Sequence, residues 1–175
     1  MSSGVRITTI ATRRLPWRVV ALVATLAIGA SVAWSFVRSS HWWRSREASL
    51  NVMRLCQEAH SYYMKRARGA YNIAWGSLPA SVDRTPSGVA CELPEQRFPG
   101  NDPHWESPTW KALSFSISGP HFYQYRFESD GAGFTVTARG DLNCNGRYSL
   151  FACKGNVDSD GNIDQPQLFT RDALE

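Results

Sequence analysis

The stretch "WRVVALVATLAIGASVAWSFVRSSHWWRSREASLNVMRLCQEAHSYYMKR", Trp17 to Arg66, sets the architecture. Its first part, Val19 to Val37, is nineteen residues without a charge, the length a helix needs to cross ~30 Å of hydrocarbon. Its second part is amphipathic. Val52, Leu55, Ala59 and Tyr62 recur at helical spacing, and with Ala48 and Tyr63 they make a stripe suited to covering a sheet. Glu47, Arg54, Glu58, Lys65 and Arg66 fall mostly off that stripe. No proline interrupts the stretch, and Gly69 offers a stop. The reading is one continuous or gently kinked helix from Trp17 to about Arg68.

Charge divides at the same place. Up to Arg46 there are seven arginines and no acid; from Glu47 onward there are twelve basic and fifteen acidic residues, a net of −3. The formal +4 of the chain therefore comes from the flanks of the apolar run. Basic residues beside an apolar segment suit a membrane surface, whereas the mildly acidic remainder removes the main support for a nucleic-acid partner. Trp17, Trp34, Trp42 and Trp43 lie near the ends of the run, where indole rings favour the interface. Four arginines precede it and three follow, which leans toward a cytoplasmic N-terminus.

Two rival readings compete with a retained span. One is a cleaved secretory signal, with a core from Val19 to Ala30 and a small-x-small "SVA" at Ser31–Ala33. The other is a buried core helix. The cysteines, Cys56, Cys91, Cys144 and Cys153, are even in number, which in an exported small domain suggests disulfides. Three pairings exist. The eight residues between Cys144 and Cys153 favour that bridge, leaving Cys56 with Cys91. No CxxC pair supports a zinc site.

The domain plan is a basic cytoplasmic tail over 1–16, a transmembrane helix over 17–38 and an extracytoplasmic domain over 39–175. Within that domain a helix covers about 45–68, and a loop with six prolines covers 78–110. An antiparallel sheet occupies about 112–153, and 154–175 is a tail. The strands expected are "ALSFSI", "FYQYRFES", "FTVTARGD" and about Tyr148 to Cys153, with "SDG" as a hairpin signal. Phe134, Val136 and Ala138 should share one face, and Thr135, Thr137 and Arg139 the other. No helix-sized gap separates these strands, which excludes parallel crossovers. The fold class is α+β, a long N-terminal helix packed on a roughly four-stranded antiparallel sheet.

With its long N-terminal helix, "SLPASVDRTPSGVAC", "WESPTWKALSFSISGPHFYQYRF" and "FTVTARGDLNCNGRYSLF", the chain resembles the type IV pilins and pilin-like subunits (pseudopilins), in the style found in deltaproteobacteria. The likeness covers roughly Arg46 to Ile163, and its most specific element is Trp110, Leu113 and Phe115 followed by the Tyr-Gln-Tyr strand. It implies a lollipop shape, export, assembly through packing of apolar stems, and no catalysis. It places the chain in the bacterial inner membrane as a single-pass protein, its C-terminal domain in the periplasm or at the cell surface. The stem lacks a prepilin-peptidase signal of the Gly-Phe-Thr-Leu-Ile-Glu kind and has no glutamate before Glu47. Processing and entry into a filament are therefore not carried over.

Two stretches have the Asx-x-Asx-x-Asx-Gly rhythm of oxygen-rich Ca²⁺ loops. One offers Asp141, Asn143 and Asn145; the other offers Asn156, Asp158, Asp160 and Asn162. Ala152 and Gln167 stand where an acidic twelfth ligand would be. Asp, Asn and Gly favour turns on their own account, which is the competing explanation. Of the histidines His41, His60, His104 and His121, no pair has ligand spacing, and no catalytic fingerprint occurs. An enzyme gains support only if His104 or His121 stands beside an acid in a cleft. Trp105, Trp110, Phe115, Phe122, Tyr123, Tyr125, Phe127 and Phe134 read first as core, with a sugar- or peptide-binding surface as the alternative. The expected function is a non-catalytic, membrane-anchored structural or assembly subunit. Its partners are the membrane and other such subunits, with no nucleic acid, no small-molecule substrate and no cofactor beyond the Ca²⁺ candidates. The alternative is a tethered module that binds glycan, peptide or Ca²⁺ and does not polymerise.

Overall fold

The computed structural model describes residues 16–69 and 77–173, the side chains at 33, 34, 36–41, 68 and 69 excepted. Residues 1–15 of the expected 1–16 tail, and the side chains of Ala33 in the "SVA" sequence, Trp34 and His41, lie outside the described residues. The chain divides into two compact units, 1–39 and 40–175. Helix α1 is Trp17–Gly69. Five strands follow it: β1 Val82–Thr85, β2 Gln124–Ser129, β3 Gly133–Gly140, β4 Ser149–Asn156 and β5 Gln167–Arg171. A short helix, α2, is Pro108–Ala112, and 3-10 turns lie at Ala90–Glu92, Pro94–Gln96 and Pro103–Glu106. The strands form one antiparallel sheet in chain order, β1-β2-β3-β4-β5.

The second unit is α+β because one face of this sheet is apolar and needs cover. Tyr125, Phe127, Val136, Ala138, Phe151 and Cys153 are buried on that face. Ala48, Val52, Leu55, Cys56, Ala59 and Tyr63 of α1 join them in one core. Alanine at 48 and 59 keeps the helix surface low where the tyrosine and phenylalanine rings rise from the sheet. The stripe continues through Tyr63, whereas Tyr62 is only half-buried. The hairpin expected at "SDG" closes β2 on β3. Asp130 N–H donates to the Gly133 carbonyl (3.3 Å), Ala132 N–H donates to Asp130 Oδ1 (3.0 Å), and Gly131 takes φ +83°.

The sheet differs from the expected one at both edges and at its start. It has five strands, not four. "ALSFSI" is not a strand. Ser107 caps α2 by accepting the Trp110 N–H (3.4 Å), and Pro108 is pre-set for its first turn. That short helix takes up Ala112 and delivers Trp110 and Leu113 to the core. Strand β1 lies inside the proline-rich segment read as a loop, and its register shifts between Val82 and Thr85. Strand β5 lies inside the expected tail, and every one of its residues is exposed. Strand β4 runs three residues past Cys153.

The disulfides are Cys56–Cys153 and Cys91–Cys144, not the pairing favoured by sequence spacing. Strand alternation explains the difference. Cys153 shares the core face with Phe151, where α1 presents Cys56. Cys144 sits in a loop outside the strand, beside the 3-10 turn that carries Cys91.

Register also fixes the open face of the sheet. One row across it is Gln124–Arg139–Leu150–Arg171. The next is Arg126–Thr137–Ala152–Phe169. A third is Glu128–Thr135–Lys154–Gln167.

The bridges close loops of 97 and 53 residues in sequence separation, each worth on the order of 4 kcal/mol by loop-closure entropy. Cys56 and Cys153 are fully buried, whereas Cys91 and Cys144 are half-buried. Replacing Cys56 and Cys153 by alanine should therefore lower the thermal midpoint more than replacing Cys91 and Cys144. Calorimetry of both double variants checks this, and the reverse order would contradict the core placement.

Candidate functional site

In the first unit the described apolar side chains face outward. Every described side chain from Trp17 to Val32 is exposed, Trp17 at 74% and Leu26 at 66%. The hydroxyls among them turn inward onto the helix. Thr25 Oγ1 donates to the Leu22 and Ala21 carbonyls (2.9 and 3.2 Å), Ser31 Oγ to Ile28 (2.8 Å) and Ser35 Oγ to Ser31 (2.9 Å). A surface whose polar atoms are satisfied within the helix is compatible with an apolar surrounding. Among the described residues, no helix is long and apolar enough to cross a membrane. Past Val32 the uncharged run Val19–Val37 continues onto side chains that, Ser35 excepted, lie outside the described residues.

The second unit begins with an aromatic and arginine cluster. The Trp42 and Trp43 rings meet edge to face at 4.9 Å, and the Arg46 guanidinium lies over both, at 5.0 and 6.0 Å. Trp43 remains 64% exposed and Leu50 60%. Arg44 points the other way. It lies over the Phe122 ring at 4.6 Å and donates to the Leu142 carbonyl at 3.2 Å.

Glu47, on α1, reaches the start of β2 with its side chain. Its carboxylate accepts the Phe122 N–H (3.2 Å to Oε2) and the Tyr125 hydroxyl (3.2 Å to Oε1). Asn51 Nδ2 donates to the same Tyr125 oxygen at 2.9 Å. Burial pushes the Glu47 carboxyl up to about 7, and the Phe122 and Tyr125 hydrogen bonds hold it back from rising further. Burial, and then the Glu47 charge, push the Tyr125 hydroxyl well above its usual value. In the sequence Glu47 reads as an off-stripe residue that closes the acid-free stem, and nothing there places it against Phe122 and Tyr125. Its being the first acid after seven arginines was the available signal.

The Asx-rich stretches form closed turns. Asp141 Oδ1 and Oδ2 accept the Asn145 and Gly146 N–H groups, at 3.2 and 2.9 Å. Asn143 and Asn145 accept N–H groups two residues on. In the second loop Asp158 Oδ1 accepts from Asp160 and Asn162 N–H, at 2.9 and 2.8 Å. These bonds, with that from Asn162 foremost, hold the Asp158 carboxyl below its ordinary range. Asn156 Nδ2 donates to Asp164 at 3.0 Å, and the Tyr63 hydroxyl donates to the Gly161 carbonyl at 3.0 Å, tying the loop to α1. Among the described residues no group of three His, Cys, Asp or Glu side chains is placed to hold a metal ion.

His104 does stand beside an acid. Its Nδ1 lies 2.8 Å from Asp102 Oδ1, at a groove of about 420 Å³ along β1. The same Asp102 oxygen accepts the His104 N–H (2.8 Å), so the carboxylate is the cap of the 3-10 turn. Ser107, also in the groove, caps α2. The pair is thus accounted for by turn capping. His121 is a core residue, tilted against Phe98 at 5.6 Å and Trp105 at 6.2 Å, and burial lowers its proton affinity. His60 is half-buried on α1. Trp105, Trp110, Phe115, Tyr123, Tyr125, Phe127 and Phe134 are buried, and Phe122 is half-buried under Arg44. These rings build the core and do not form an exposed binding surface. Phe169, 52% exposed on the open face, belongs to β5, inside the segment the sequence reads as a tail.

With this geometry in view, comparison with protein-family models, with curated proteins and with solved structures returned no match.

Two measurements follow from these groups. The Glu47 carboxyl ionises near 4.5 when unfolded and near 7 when folded. The folded state therefore holds the extra proton between those values, and stability is lost as pH rises from about 4.5 through about 7. Discounted for partial solvent access, the loss is on the order of 2 kcal/mol. Glu47→Gln should flatten that slope and raise the melting temperature above the wild type's at about pH 8. An unchanged slope would remove Glu47 as its source. Separately, with no group of three His, Cys, Asp or Glu side chains placed to hold a metal among the described residues, melting in Ca²⁺ and in EDTA should coincide. A shift of several degrees would instead establish the metal loops.

Proposed function

We propose that the chain is a non-catalytic, membrane-anchored subunit of the pilin-like kind, acting by assembly or scaffolding, with its 40–175 unit on the extracytoplasmic side. The observation that carries this reading is the helix surface from Trp17 to Val32, which exposes its apolar side chains while its hydroxyls bond back to the helix. Water disfavours such a surface at about 25 cal/mol per Å², and lipid or a neighbouring apolar helix relieves that cost. The uncharged run to Val37 has the length of a span. The Trp42–Trp43–Arg46 cluster has the amphipathic character of an interfacial belt. Two disulfides suit an oxidising compartment.

Stems that meet within lipid would be held by van der Waals packing rather than by the hydrophobic effect. Ala27, Gly29 and Ala30 supply small surfaces for close approach. The resemblance to pilin-like subunits supplies the assembly component of the proposal, and the stem supplies the tether.

The test is fractionation of cells producing the full chain. Resistance to alkaline carbonate extraction, with the 40–175 unit cleaved by protease added outside the inner membrane, is the expected result. Leu22→Arg with Leu26→Arg should release the chain from the membrane fraction. Recovery of the unaltered chain in the soluble fraction would end the anchored reading, and crosslinking that yields only monomers would end the assembly component alone.

A further inference from the structure

The open face of the sheet differs in charge from the rest of its unit. From Glu47 onward the chain has a net charge of −3, yet five of its twelve basic residues, Arg84, Arg126, Arg139, Lys154 and Arg171, gather at this face. Arg126 is offset by Glu128 at 3.1 Å and loosely by Asp83 at 3.8 Å. Among the described residues Arg139, Lys154 and Arg171 have no carboxylate within ion-pair distance. Such crowding of like charge without partners costs stability unless an anion offsets it. Arg84 already shows the crowding: burial, then Arg139 and Arg126, weaken its hold on its proton.

Arg139 is also held in place. Its Nη2 donates to Gln124 Oε1 at 3.1 Å, and Gln124 is anchored in turn by donating to the Pro86 and Gly88 carbonyls, at 2.7 and 2.9 Å. The guanidinium lies 4.4 Å over the Tyr148 ring, and its Nε is buried without a hydrogen-bond partner. The buried Nε is not accessible to a ligand, but a guanidinium held in this way is a pre-positioned positive charge that suits a carboxylate.

Between the cations the face is neutral and hydroxylated. Thr135 and Thr137 share this face with Arg139 along β3, and Phe169 presents its ring one row from Arg171. A groove of about 430 Å³ runs past Thr135, Lys154, Asn156 and Ser81, with Glu128 and Asp130 also at its wall. Glu128 and Asp130 confine the anion-attracting part of the face to Arg139, Lys154 and Arg171, and they need hydroxyl or amide donors from a ligand, which an acidic peptide's carboxylates and a phosphate backbone do not supply. Glu128 and Asp130 are good acceptors for sugar hydroxyls.

We propose that this open face binds an acidic, uronate-bearing polysaccharide, with sugar hydroxyls in the groove beside Lys154 and carboxylates on Arg139 and Arg171. Phe169 stacks on a sugar ring in this arrangement. Arg139 and Arg171 lie two strands apart, on the order of 10 Å, so they engage separate sugar units rather than one carboxylate. The inference does not depend on membrane anchoring or on assembly.

The test uses the full chain in a neutral detergent, titrated calorimetrically with an oligogalacturonate and with its methyl-esterified, uncharged form. Binding of the charged oligomer alone is expected, weakened by salt. Arg171→Gln with Lys154→Gln, both exposed positions, should weaken it by roughly an order of magnitude. Phe169→Ser should weaken it with no change in salt dependence. Equal binding of a single-stranded oligonucleotide or of polyglutamate would overturn the assignment in favour of a general anion surface. Unaltered affinity in both variants, or no binding at all, would overturn it outright.

Discussion

The second unit depends on one constraint: a single antiparallel sheet has a core face that nothing but α1 and the segments leading into the sheet can cover. Val52, Leu55 and Ala59 meet Tyr125, Phe127 and Val136 there. Each large side chain so buried contributes about 1.5–3 kcal/mol. Trp105, Trp110 and Phe115 fill the space beside the helix, with rings 5.3 to 5.7 Å apart. Cys56–Cys153 lies within this contact. Glycine at 155 belongs to the same fit, since a Cβ there would come within 2.6 Å of the Phe134 ring.

Much of this was legible because burial imposes a period. The helical stripe, the alternation of Phe134, Val136 and Ala138, and the "SDG" turn all follow from one buried face. The edges were not legible for the opposite reason. Strand β5 is held by backbone pairing to β4 and buries nothing, so "QLFTR" has no pattern that separates it from a tail. Strand β1 has a shifted register and four residues, too few to establish alternation. At "ALSFSI" the alternation was real, but a Ser-Pro cap three residues upstream of Trp110 set the backbone instead. The disulfides show how topology overrides chain distance. Cys144 and Cys153 are near in sequence, but they end on opposite sides of a strand boundary.

The candidate sites divide in the same way. The Asx-rich loops were found readily, since their composition is distinctive, but composition does not separate a ligand from a turn. In the folded chain their carboxylates accept backbone N–H groups. Glu47 and the open-face arginines leave no motif. They emerge only when register places Arg139 beside Gln124 and the fold brings Glu47 against Phe122 and Tyr125. Such sites are made by juxtaposition of distant residues, and a linear reading has no means of adding them up.

The bridge from Cys56 to Cys153 has a mechanical consequence. A pull exerted along α1 reaches the middle of β4 through a covalent bond, and β4 is flanked by β3 and β5. The helix therefore cannot be peeled from the sheet by sliding its stripe over the rings beneath. Tension is delivered to the hydrogen-bonded ladder in the interior of the sheet and bypasses its weak edges, so the unit should resist shear until that ladder itself gives way.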